Sequence, residues 1–162
     1  MAITHTYLAS NTLSSNQTSV DFSSISGSYT DLILILEGTG TADLDLCLRF
    51  NSDTGTNYSM TNLRGDGTSP YSTSDTSRDR MAVGIITSTR TMSQINIQNY
   101  SNSTTYKSVL ARTDSTNATY GLMARVGLWR STAAITTITV LTNTTSGLAS
   151  GMTLSLYGIK AA

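Results

Sequence analysis

Gly127-Leu128-Trp129-Arg130-Ser131-Thr132-Ala133-Ala134-Ile135 lies at the middle of the stretch that decides the fold, Ala118 to Ile159, and holds the only Trp of the 162-residue chain. Before it, Tyr120, Leu122, Ala124, Val126 and Leu128 occupy every second position. After it, Ile138 and Val140 alternate with Thr137 and Thr139, and Met152, Leu154 and Leu156 alternate with Thr153, Ser155 and Tyr157. A side-chain period of two belongs to strands with one buried and one wet face. The stretch therefore predicts three strands and two turns, with Leu122, Ala124, Val126 and Leu128 turned inward. Trp129 has the opposite parity. It is either a contact surface, for a partner subunit or a sugar ring, or a core residue covered by a second sheet.

Working outward, the same signal recurs with no convincing helix. Ile3 to Ala9 alternates weakly, as an edge strand or an arm would, and Asn11 to Gln17 is polar. Thr18 to Phe22 is a short strand. The continuous apolar run in Asp31-Leu32-Ile33-Leu34-Ile35-Leu36-Glu37 predicts a strand buried on both faces or one at the centre of a sandwich. In Asp43 to Phe50, Leu44, Leu46, Leu48 and Phe50 point in, while Asp43, Asp45, Cys47 and Arg49 point out. Strands follow at Tyr58 to Arg64, Arg80 to Thr87, Ser93 to Tyr100 and Tyr106 to Thr113, with a long polar loop from Gly65 to Asp79. This pattern predicts an all-β fold: a two-sheet antiparallel β-sandwich of jelly-roll type with about eight to ten strands, residues 18–162, preceded by an N-terminal arm or edge strand, residues 1–17.

Composition narrows the class. Charged residues make up 12% of the chain, about half the usual share, and Ser and Thr together about a third. Thr is a good strand residue, so a hydroxyl-covered sheet suits this balance. Ten basic and ten acidic residues cancel, and the clustered Lys and Arg that a phosphate backbone requires are absent, so no nucleic-acid partner is expected. Exposed sheet edges have almost no Lys to blunt them. The chain reads as a component of an assembly. No apolar run reaches the ~20 residues of a membrane helix. Met1-Ala2-Ile3-Thr4-His5 does not resemble a secretion signal, so neither a membrane nor export is expected.

No residue set points to catalysis, a cofactor or a metal. His5 is the only His, with no nucleophile elbow to serve. One His and one Cys cannot make a zinc site. Asp43 and Asp45 share a strand face and read as a calcium pair or, far more simply, as solvated carboxylates beside Arg49. Glu37, the only Glu, has no Asp placed opposite it for glycoside hydrolysis. Cys47 faces outward or into a subunit contact, with nothing nearby to activate it. Arg64-Gly65-Asp66 matches the adhesion tripeptide by chance, and the sequons at Asn102 and Asn117 follow from composition.

The segments Phe22…Ile25, Tyr29-Thr30-Asp31-Leu32 and Leu46-x-Leu48-Arg49-Phe50-Asn51-Ser52-Asp53-Thr54-Gly55-Thr56-Asn57-Tyr58-Ser59, then Gly127 to Ile138 and Leu154-Ser155-Leu156-Tyr157-Gly158-Ile159, resemble a family of small jelly-roll structural proteins of tailed bacteriophages. The resemblance covers roughly Val20 to Ile159, and Gly67 to Arg78 stands outside it. It implies a virion protein, assembled in the bacterial cytoplasm and often trimeric, that serves as capsid decoration (cement), head fibre or tail-fibre tip. A compact core with a polar arm, Ala2 to Gln17, and no shaft favours a cement protein bridging subunits of the major capsid protein. The alternatives are a host-glycan-binding module using Trp129 or Tyr residues and a minor tail protein. The Asn51–Tyr58 segment is expected to act as a turn and strand start, not as a binding site.

Overall fold

Alternating burial along almost every strand builds the molecule. The computed structural model describes residues 5–117 and 119–160. The expectations for Met1 to Thr4 and for Ala118 fall outside them. Twelve strands occur among the described residues: β1 (His5–Thr12), β2 (Ser19–Phe22), β3 (Asp31–Gly38), β4 (Leu44–Phe50), β5 (Tyr58–Gly65), β6 (Pro70–Arg78), β7 (Met81–Ile86), β8 (Thr91–Gln98), β9 (Lys107–Ser115), β10 (Leu122–Trp129), β11 (Ile138–Thr142) and β12 (Thr153–Ile159). They form an eight-stranded sheet in the order β1-β12-β3-β8-β9-β10-β5-β6 and a four-stranded sheet in the order β2-β11-β4-β7. All pairings are antiparallel. The inner faces enclose one main core, including Leu32, Leu34, Leu46, Phe50, Ile95 and Leu154. The protein is thus an all-β sandwich, with more strands than the eight to ten expected.

Two strands, β6 and β10, depart from the sequence reading, each for a physical reason, and β3 meets one of its two expectations, the centre of a sandwich. Pro70–Arg78 is a strand inside the stretch expected as a loop. It is an edge strand paired only to β5, with almost every residue exposed, so it carries no apolar alternation to betray it. Pro70 takes its first position, where a missing N–H costs least. β3 buries Leu32, Leu34 and Leu36, but its other face, with Ile33 and Ile35, is only half-buried.

β10 has the reverse of the expected parity. Met123, Arg125, Gly127 and Trp129 face the core, and Leu122, Ala124 and Val126 face solvent. The inward set works because each member is accommodated. Trp129, the largest side chain, fills core space. Arg125 is paired by Asp45 and Asn62. Gly127 leaves room for Met81, whose sulfur would lie 2.2 Å from a Cβ at this position.

The closing strand is fixed by another close approach. A Cβ on Gly158 would lie 2.5 Å from Tyr29 Cγ, so the tyrosine ring lies flat against the bare backbone. Gly158→Ala is expected to lower stability by about 1–3 kcal/mol through overpacking. Urea unfolding of the variant at an unchanged midpoint would show that the ring moves aside freely.

Candidate functional site

The two motifs most specific to the sequence, Asn51 to Tyr58 and Gly127 to Ile138, meet in the structure as a hydrogen-bonded fastening over the buried Tyr58 and Trp129. Asn51 and Ser52 adopt left-handed backbone, with φ of 50° and 57°. Asn51 Oδ1 accepts from the Thr136 and Thr137 amides at 2.9 and 3.1 Å, and its Nδ2 donates to the Ala134 carbonyl at 2.8 Å. Asp53 Oδ1 accepts from the Gly55 amide. Asp53 Oδ2 accepts from Asn57 Nδ2 at 2.9 Å and from the Trp129 indole N–H at 2.7 Å. Burial raises the Asp53 pKa, but the Trp129, Asn57 and Gly55 hydrogen bonds outweigh it, and the net shift is downward. Trp129 is 2% exposed, stacked on Tyr58 and tilted 55° to Phe50. Of the two expectations for Trp129, the core residue holds and the contact surface does not. Tyr58 accepts from the Phe50 amide, and burial pushes its hydroxyl up to about 12. Lys107, fully buried opposite Trp129, donates to the Thr105 and Thr132 carbonyls, with burial pulling its pKa down.

The candidate contact site is the outer face of the eight-stranded sheet. Direct cross-strand partners share a face. Val126 lies opposite Leu110, and Ala124 opposite Leu63. With Leu122 they form one apolar patch across β5, β10 and β9. Leu63, Leu122, Val126 and Leu110 are 59%, 57%, 54% and 44% exposed, so they are neighbours on one surface and not scattered residues. Gln94, Asn96 and Arg112 rim the patch on the β8 side. At its other margin a shallow groove includes Leu63, Tyr71 and Leu122. There the Arg64 guanidinium lies over the Tyr71 and Tyr120 rings, 4.9 and 5.5 Å from their centroids, and its buried Nε has no hydrogen-bond partner.

The remaining sequence candidates are scattered. His5 begins β1 on the exposed edge. Asp43 and Asp45 do not form a cation pair. Asp43 accepts from Ser88 and Asn117, and Asp45 accepts from Arg125 at 3.2 Å. Arg49 binds Asp79 instead, at 3.0 Å. Glu37 pairs with Arg90 on the surface. No cluster of three or more His, Cys, Asp or Glu that could hold a metal occurs among the described residues. The Arg64-Gly65-Asp66 tripeptide runs from the end of β5 into a turn, where Asp66 accepts from Thr68 and Ser69. The sequon residues Asn102 and Asn117 hold their own loops. No helix among the described residues is long and apolar enough to cross a membrane.

Cys47 corrects its expected outward position. The β5–β6 hairpin reaches round the β7 edge, so Met60 covers Cys47, Ala82 and Leu141 in a second small core. Burial, then the nearby Asp45 charge, pushes the thiol up to about 12. Sequence reasoning missed this corner because a β5–β6 hairpin closes it, and β6 was read as a loop.

No family model and no curated protein matches the chain. Among solved structures, galectin LEC-6 of Caenorhabditis elegans is similar in outline, with a TM-score of 0.41 and 9% identity over 98% of this chain and 96% of that one.

Two measurements check these assignments. Asp53→Ala strands the buried Trp129 N–H and is expected to cost about 1–3 kcal/mol, with altered tryptophan fluorescence. Because the Asp53 pKa is lowered from 3.8, its contribution is present above that value and lost as pH falls through the depressed folded value. The variant should therefore lose stability less steeply in acid, and an identical acid limb would count against the hydrogen-bond set. For Cys47, a thiol reagent at pH 8 should label native protein no faster than it unfolds; rapid stoichiometric labelling would contradict the burial.

Proposed function

We propose that the chain is a virion structural subunit, a capsid decoration (cement) protein that stabilises an icosahedral head by bridging major capsid subunits. The observation that carries this proposal is the apolar patch of Leu63, Leu110, Leu122, Ala124 and Val126 on a sheet face whose other side chains are mostly polar, with Arg112 and Asp114 directly beside it. A stable interface takes about 800 Å² per partner. An eight-stranded sheet with strands of seven to nine residues offers roughly 900 Å², at about 4.8 Å between strands and about 3.4 Å per residue. The resemblance to jelly-roll phage structural proteins supplies the partner. The face seats on the shell, and the open edges, β1 and β6, pair head to tail between copies into a closed trimer. Many copies binding only the expanded lattice stabilise it by linkage against genome pressure. The host-glycan alternative loses Trp129, which is buried, and keeps exposed tyrosines such as Tyr7, Tyr71 and Tyr106 for stacking.

The test is a copy count per particle against the major capsid protein, together with shell binding by Leu110→Asp/Val126→Asp. Hundreds of copies are expected. The exposed double variant should stay folded by circular dichroism but bind expanded shells at least about tenfold more weakly. A dozen copies or fewer, or undiminished binding by the variant, would refute the proposal.

A further inference from the structure

The hairpin that covers Cys47 also walls a cleft of about 270 Å³ on the outer side of the four-stranded sheet, on the other face of β5 from the apolar patch. Its floor is apolar, formed by Met60, Ala82 and Cys47. Asp45, Asp75, Arg78, Arg80 and Asn143 stand around the floor. Four of the chain's ten basic residues gather at this corner, in pairs that leave polar atoms free. Arg125 Nη1 uses Asp45 Oδ1 and leaves Oδ2. Arg78 approaches Asp75 Oδ2 only through Nε, at 3.6 Å, leaving both terminal amino groups and Asp75 Oδ1. Arg80 grips Asp79 through Nε and Nη2, leaving Nη1. The Asn143 amide makes no hydrogen bond among the described residues. Burial raises the Asp79 pKa less than the Arg80 hydrogen bond lowers it, so Asp79 stays ionised and this pair stays intact.

These free groups are of two kinds. Guanidinium N–H groups donate to an anion, and the free ones lining the cleft belong to Arg78 and Arg80. Asp45 and Asp75 accept from hydroxyls but repel a compact anion placed between them. A bare phosphate satisfies only the first kind and a neutral sugar only the second. The apolar floor suits the C–H face of a ring. We infer that this cleft binds an acidic sugar unit, its carboxylate on Arg78 and Arg80 and its hydroxyls on Asp45, Asp75 and Asn143. The inference is independent of the capsid role, since it uses a different face.

The experiment is a titration of the full ¹⁵N-labelled chain with glucuronate, glucose and inorganic phosphate in parallel, followed by amide shifts. Glucuronate should bind with a Kd of the order of 1 mM, a strength suited to a single small ligand. Shifts should be confined to residues around Asp45, Met60, Asp75 to Arg80 and Asn143. Arg78→Ala, at a side chain 56% exposed and therefore safe for folding, should weaken binding about tenfold. Arg112→Ala, on the opposite face, should leave it unchanged. Equal binding of phosphate, equal binding of glucose, shifts elsewhere, no saturable binding, or an unaffected Arg78→Ala variant would each overturn the assignment.

Discussion

The hydrogen bond from the Trp129 indole to Asp53, at 2.7 Å, is the constraint on which the sandwich depends. Trp129 ends the strand joining β9 to β5 in the larger sheet, while Asp53 follows β4 of the smaller sheet. One polar contact therefore ties the two layers together where Phe50, Tyr58 and Trp129 pack. A buried indole N–H without an acceptor is costly, so the ring has one good seat. Asn51 extends the fastening to the chain after β10 through the Ala134, Thr136 and Thr137 backbone.

That seat decides the surface. Because side chains alternate, placing Trp129 inward places Leu122, Ala124 and Val126 outward, whatever their own preference for burial. Leu110 and Leu63 join them from the neighbouring strands by register. The apolar patch is thus the other side of the tryptophan's hydrogen bond. A monomer gains nothing from it, which is why an interface is the reading it supports.

The sandwich class and most strands were legible, because β4, β8, β11 and β12 bury alternate apolar residues as the sequence suggests. Two features were not. β10 is apolar on its outward positions and carries Arg125 and Gly127 inward, so hydrophobic periodicity alone points the wrong way. The informative sign was that the only Trp sat out of phase with the Leu and Val residues around it. β6 has no buried face, and an edge strand held by one neighbour leaves no period to detect. Missing β6 also hid the cleft beside Cys47, whose wall it forms. The structural role expected for Asn51 to Tyr58 was legible from its turn residues, but not its partner across 76 positions, Trp129.

The sheet order has a consequence for synthesis. β12 lies between β1 and β3, with Ile159 opposite both His5 and Asp31. As the chain emerges from a ribosome, β1 stays without its only partner and β3 lacks one of its two until β12 has cleared the exit tunnel. The core strands also pair across long stretches of sequence, a topology that folds slowly. The nascent chain therefore exposes Leu32, Leu34 and Leu36 beside an unfilled slot until its last strand arrives. Completion of the fold, and with it any assembly through the β1 edge, is timed by the end of translation of this domain.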